Sequence, residues 1–264
     1  MTIQLPQAFE KYRSIIEPTL QPVIHIDTVE RPTSLFESKF EGNPYFPLGM
    51  EYPKNESGQP LKLLAQINFA DVPKHLPHFP TEGILQFYID GYDDVFGLDF
   101  KNGQHQAGFR VIFHEEIIQD ELQLLQDFSF VTVEDEELYF PVTKEMAVTF
   151  APAIEPLSVN DFRSYDVYEA IWQEIDDADQ YGLDDQFYTS FGCTGHRIGG
   201  YPFFTQADPR EDDYFGDSTV LLLQIDSVGN HVMWGDTGVG NFFITEDELK
   251  RKDFSKVLYN WDCC

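Results

Sequence analysis

Apolar residues along this chain recur in two rhythms. Short runs at residues 23–26, 61–68, 84–89, 109–113, 128–133 and 146–150 are rich in β-branched and aromatic side chains. Several alternate in steps of two, which predicts strands of a mostly antiparallel sheet with one wet face. A period of three to four governs other stretches. Leu5, Phe9, Tyr12 and Ile15/Ile16 mark a helix over 4–16, with Pro6 tolerated in its first turn. Phe162, Tyr165, Tyr168, Ile171/Trp172 and Ile175 mark a longer helix over 160–177, with Asn160 as N-cap and Gly182 to end it. Thr245-Glu-Asp-Glu248 has the spacing of a capping box and opens a short helix near the C-terminus. Residues 42–47 are turn chemistry, the stretch around Pro73, Pro77 and Pro80 is irregular, and Pro152 and Pro156 close the strand region before the long helix.

The pattern also repeats. Lys39-Phe-Glu-Gly42-Asn-Pro44-Tyr45-Phe46 is answered by Arg197-Ile-Gly-Gly200-Tyr-Pro202-Phe203-Phe204, and Leu64-Ala-Gln66-Ile-Asn68 by Leu222-Leu-Gln224-Ile-Asp226. Gly42 stands 24 residues before Gln66, and Gly200 stands 24 before Gln224. A third block, Gly83-Ile-Leu-Gln86-Phe-Tyr-Ile89, returns as Gly238-Val-Gly-Asn241-Phe-Phe-Ile244. The expected fold is therefore α+β, predominantly antiparallel β: two β-rich units duplicated about a pseudo-two-fold, with a few peripheral helices. Each unit offers too few strands to bury both faces alone, so 1–264 is expected to form a single globular domain. Within it, repeat 1 spans about 35–110, an acidic insert about 111–191, and repeat 2 about 192–262.

Composition sharpens this picture. Hydrophobic residues make up 42% and aromatics 15%, ample for a core and against disorder. No run approaches the roughly 18–20 apolar residues of a membrane span, and residues 1–14 lack the apolar region of a secretory signal. The 3 cysteines, two of them adjacent at the C-terminus, are no disulfide framework and fit a reducing cytoplasm. Net charge is −29, and residues 111–191 hold 2 basic side chains against 20 acidic ones.

Candidate chemistry centres on the repeated polar positions. Gln66 and Gln224 each interrupt an apolar strand, and a buried amide has two donors and two acceptor sites to satisfy. Each either staples its neighbouring Gly/Pro loop or faces a shared cleft with its counterpart. Lys39 and Arg197 correspond in the same way, and each is expected to meet an internal carboxylate, such as Asp226, or an anionic ligand. His196 with Asp236, in the Trp234–Gly238 turn, is the best acid–base pair. Gly195-His196-Arg197-Ile-Gly199-Gly200 lacks the spacing of a phosphate loop, so no nucleotide cofactor is expected. His75-x-x-His78, Cys193-x-x-His196 and the calcium-loop mimic opening at Asp177 each lack a complete ligand set, so no metal site is expected. No nucleophile elbow is present either.

The repeat blocks, with Ser38-Lys-Phe-x-Gly-Asn-Pro-Tyr45, Leu64-Ala-Gln-Ile-Asn68, Gly195-His-Arg-Ile-Gly-Gly-Tyr-Pro202 and Trp234-Gly-Asp-x-Gly238, resemble the bacterial YwqG-like family over residues 35–263. That resemblance implies a cytosolic protein of uncharacterised activity, with no catalytic residues to carry over. Relatives encoded near secreted-toxin loci imply an immunity-type role.

The expected function is accordingly a non-enzymatic binding protein that captures a basic protein partner, because a one-sign patch speeds encounter with a cationic surface. The same charge disfavours nucleic acid. The alternative is a small-molecule-binding protein or hydrolase whose site lies between the repeats and uses Lys39, Gln66, His196, Arg197, Gln224 and Asp236. A scaffold without ligand is the third reading.

Overall fold

The computed structural model describes residues 3–131, 140–177, 182–211, 215 and 217–264. Ten strands are named in chain order: β1 (Gln21–Glu30), β2 (Lys39–Phe40), β3 (Lys62–Asn68), β4 (Ile84–Ile89), β5 (Phe109–His114), β6 (Met146–Glu155), β7 (His196–Gly199), β8 (Val220–Asp226), β9 (Val239–Ile244) and β10 (Leu258–Asp262). They form one antiparallel sheet in the order β10-β9-β8-β7-β1-β6-β2-β3-β4-β5. At its centre β1 pairs with β6 along their full length, from Gln21↔Glu155 to Glu30↔Met146.

Outward from this pair the register runs alike on both sides. Lys39 faces Gln66 and Gln66 faces Gln86 on one side. Arg197 faces Gln224 and Gln224 faces Asn241 on the other. The β3–β4 ladder slips between Leu63 and Ala65, and the β8–β9 ladder between Leu221 and Leu223, so each skips one residue of a Leu-Leu pair.

The sheet curls into a nearly closed barrel, bringing its two wings together around the largest core. Phe87 of β4 lies 4.8 Å from Phe242 of β9, and Phe109 of β5 lies 5.1 Å from Tyr259 of β10, ring centre to ring centre. The Tyr259 N–H donates to the Gly103 carbonyl at 2.8 Å, tying one outer strand to the loop before the other. Period-two alternation predicted one wet face, yet all six residues of β4 and of β9 are buried. Leu85, Phe87 and Ile89 enter the large core, while Tyr88 packs on the outer face with Phe46, Tyr52, Leu61 and Phe128. Loops cover the outer face, so alternation here separates two cores rather than core from water.

Helices α1 (Arg13–Ile16), α2 (Ser164–Val167), α3 (Glu169–Asp177), α4 (Leu183–Phe191) and α5 (Glu246–Arg251) complete the described structure. The first stretch is a 3-10 turn over Gln7–Tyr12 leading into α1 rather than one helix. The helix expected over 160–177 is broken at Tyr168, whose buried hydroxyl donates to the Leu157 carbonyl at 2.9 Å. Asn160 lies in the turn before α2, its N–H on Ser158 Oγ, and does not cap it. Gly182, with φ 109°, stands immediately before the unforeseen α4. Breaking the chain this way lets Tyr168, Ile171, Phe187 and Phe191 close a second core over Phe9.

Two strand expectations also change. Ser129–Val131 is a 3-10 turn, and 132–139 lie outside the described residues. Pro152 sits inside β6 rather than ending it, opposite Ile24 of β1. Beyond Ala147, β6 has no ladder to β2, so a residue without an N–H is tolerated at that edge. The acidic stretch 111–191 contains β6 and most of β5, and is therefore built into the sheet. α5 begins as expected: Thr245 Oγ1 accepts from the Glu248 N–H at 3.2 Å and donates to the Glu248 carboxylate at 2.8 Å. Among the described residues no helix is long and apolar enough to cross a membrane.

Candidate functional site

The strand amides define two stations, one in each wing. Gln66 is fully buried on β3. Its Oε1 accepts from the Tyr45 N–H and from Gln86 Nε2, both at 2.8 Å. Its Nε2 donates to the carbonyls of Leu35 at 2.8 Å and Glu37 at 2.9 Å. Gln224, also fully buried, accepts from the Phe203 N–H at 2.7 Å. It donates to the carbonyls of Cys193 at 3.0 Å and Gly195 at 2.8 Å. Gln86 Nε2 and Asn241 Nδ2 then donate to the carbonyls of Tyr45 and Phe203, holding the same two loop residues from the other side. Each glutamine thus staples the loop beside it.

The cations behave similarly. Lys39 Nζ is buried and donates to the carbonyls of Ser34 at 2.6 Å and Asn43 at 2.9 Å. Burial brings its pKa down to about 8, although Glu145, Glu37 and Glu41 pull the other way. No carboxylate lies within ion-pair distance of it among the described residues. Arg197 meets Glu155 rather than Asp226, and also donates to the Thr194 carbonyl. Burial works to raise the Glu155 pKa, but the His25 hydrogen bond at 2.7 Å and the Arg197 charge hold it below the usual value. Asp226 instead accepts from the Gly195 N–H at 2.7 Å, and burial raises its pKa.

His196 and Asp236 are not brought together. His196 Nδ1 accepts from the Asp226 N–H at 3.0 Å, and its ring packs edge-on against Phe40. Burial lowers its pKa to about 4, so it is neutral near pH 7. Asp236 is exposed in the Trp234–Gly238 turn. The six residues therefore do not converge on one cleft: Lys39 and Gln66 sit in one wing, and His196, Arg197 and Gln224 in the other, with β1 and β6 between and Asp236 out on the β8–β9 turn.

Cavities open instead beside each glycine loop. One of about 450 Å³ is lined by Glu41, Gly42, Asn43, Tyr52, Lys62 and Glu145. The other, about 350 Å³, is lined by Pro22, Leu76, Gly199, Gly200, Val220 and Leu221, among others. A Cβ on Gly42 would fall 2.7 Å from the Glu145 side chain, and one on Gly200 would fall 2.8 Å from Val23. Gly42 and Gly200 have φ of 86° and 66°, so both loops need glycine for conformation as well as space.

Three features escaped the sequence reading. Gln86 and Asn241 complete the stations, and the third repeat block already aligns them. Arg210, fully buried, bonds Asp208 Oδ2 at 2.6 Å and Asp161 Oδ2 at 2.9 Å, joining the helical segment to the second wing. His114, buried against Tyr45, bonds Gln86 Oε1 at 2.9 Å, and burial lowers its pKa to about 4. No sequence motif marks the last two. No group of three or more His, Cys, Asp or Glu side chains is placed to hold a metal among the described residues.

Barrel and stations together define a protein with a curled ten-stranded antiparallel sheet whose wings carry matching amide staples. The chain belongs to the domain-of-unknown-function family DUF1963, whose model matches residues 38–263. No curated protein matches it.

Proposed function

We propose that this protein is a non-enzymatic binding protein that captures a basic protein partner on the surface of α2–α4. One observation carries the reading. From Ser164 to Phe191 the chain has eight acidic residues and no lysine or arginine. On this surface Asp166, Glu169, Asp184 and Asp185 are exposed, together with Tyr165 at 70% and Tyr188 at 50%. Carboxylates steer a cationic face inward, and tyrosines add contact area at small entropic cost. A toxin that grips phosphates has such a face, which fits the immunity-type role implied by the YwqG-like resemblance, in a cytoplasmic setting. The test is retention from native cytosol at low salt, followed by titration of the purified partner. A basic protein should be retained, and its affinity should fall at least about tenfold with Asp166→Lys, Asp184→Lys and Asp185→Lys combined. Retention of nothing basic, or indifference to the charge reversal, rules the reading out.

Matching registers and staples further support descent from an internal duplication. In it β1–β5 correspond to β6–β10, and β1 and β6 have exchanged sides. Lys39↔Gln66↔Gln86 and Arg197↔Gln224↔Asn241 are its clearest signature.

A small-molecule site is the second reading, favoured by the Gly42 cavity. There Tyr52, 8% exposed, lines the cavity beside Glu41, Lys62 and Glu145. Native mass spectrometry of the purified protein should then show an adduct that Tyr52→Phe weakens.

A further inference from the structure

Arginine has abundant partners in a chain with 46 acidic residues. Five of the seven arginines take a carboxylate: Arg13, Arg31, Arg163, Arg197 and Arg210. Arg110 and Arg251 have no carboxylate within ion-pair distance among the described residues, and both line the same groove. The Arg251 charge does, after the Ser255 hydrogen bonds, help hold the Asp253 carboxyl below its usual range. This groove, about 730 Å³, runs between β5 and the end of α5, with Lys252, Phe113 and Phe254 also in its wall. Arg110 Nη2 donates to the Gln106 carbonyl at 3.0 Å, while its Nε is buried without a partner.

The barrel itself does not call for a cation there. Arg110 lies opposite Tyr88, and the matching place in the other wing is Leu258, opposite Phe243. Leu258 is buried and apolar, so the same backbone position is filled without charge. Asp253, the acid nearest Arg251 in sequence, accepts from Ser255 through both its N–H and its hydroxyl. Among the described residues the one acid in the groove wall is Glu115, which pairs with Lys252. Phe113 and Phe254, with ring centres 5.4 Å apart, supply an apolar wall beside the guanidinium groups.

We infer that this groove binds a small organic oxyanion, its phosphoryl or carboxylate group held by Arg110, Arg251 and Lys252 and its carbon frame resting on Phe113 and Phe254. Guanidinium forks match either group in geometry. The Glu115 carboxylate stands on Lys252 where the ligand's own oxygens would compete for it. This site lies apart from the acidic surface of α2–α4 and does not depend on partner capture.

Calorimetric titration of the full chain with inorganic phosphate and, separately, with succinate tests the assignment. About 0.15 M NaCl keeps the overall negative charge from repelling the probe, because fields beyond roughly 8 Å are then screened. At least one anion should saturate, Arg251→Ala should weaken it about tenfold, and Glu115→Gln should tighten it. Both substituted side chains are exposed, so folding is spared. Preference for phosphate assigns a phosphoryl ligand, and preference for succinate a carboxylate one. The inference falls if neither anion saturates, or if affinity ignores both substitutions.

Discussion

Gln66 spends both its protons and its oxygen on other groups, and all four of its bonds end on buried or half-buried atoms. Replacing it with leucine keeps the volume but leaves the Tyr45 N–H and the Leu35 and Glu37 carbonyls without a partner. Each buried polar group so abandoned costs about 1–3 kcal/mol. Gln66→Leu should therefore destabilise the protein by roughly 3 kcal/mol, and Gln224→Leu by a similar amount. Urea midpoints measure this, and binding at α2–α4 should be unchanged in the variants that fold. His114 and His196 make a second prediction at this scale. Burial holds both at about 4 in the folded protein, below the ordinary histidine value of about 6.5. Below pH 6.5 the unfolded chain takes up protons that the folded one refuses, so stability is lost as pH falls from 6.5 towards 4. Each histidine adds a slope of up to about 1.4 kcal/mol per pH unit in that window. Denaturation at stepped pH should show a flatter acid limb for His114→Asn, and an equally steep limb would refute the assignment. The glutamines were legible in the sequence because an amide inside an apolar run has to find partners. The partner of His196 was not, because it is the backbone N–H of Asp226 rather than the Asp236 carboxylate, and sequence cannot display a backbone contact.

At the scale of elements, apolar runs located β3, β4 and β5 closely, since strand propensity and burial agree there. They failed where tertiary contacts overrode local preference. The helical period through 160–177 is real, yet the Tyr168 hydroxyl bond and the Phe9 core bend the chain into two pieces. Pro152 reads as a terminator until β6 is seen to lack a neighbour on that flank. The link between α2 and the second wing is the Arg210 cluster, stacked on Phe243 at 4.3 Å. Breaking a buried charge pair from one side strands the other charge, at about 3–5 kcal/mol. Arg210→Met should lower stability by that order, and the loss should shrink when Asp208→Asn is added, since Asp161 keeps Arg163 as a partner, as a double-mutant cycle would record.

For the whole molecule, charge and topology dominate. A net charge of −29 repels itself in the compact state. Melting temperature should rise as NaCl increases from low salt to about 0.5 M, since screening relieves that repulsion. A melting point that ignores salt would mean the carboxylates are already compensated. Sequence repeats announced matching wings but gave no strand order, because the central pairing joins strands that belong to no repeated block. That pairing has a consequence for biosynthesis. β1 leaves the ribosome on the order of ten seconds before β6 exists, at roughly 5–20 residues per second, and β7 follows later still. Throughout that interval a ten-residue strand with buried Val23, Ile24 and Ile26 has neither native neighbour to shelter it. The nascent protein should therefore bind a chaperone that shields unpaired strands, and its central sheet can close only once β6 and β7 have been made.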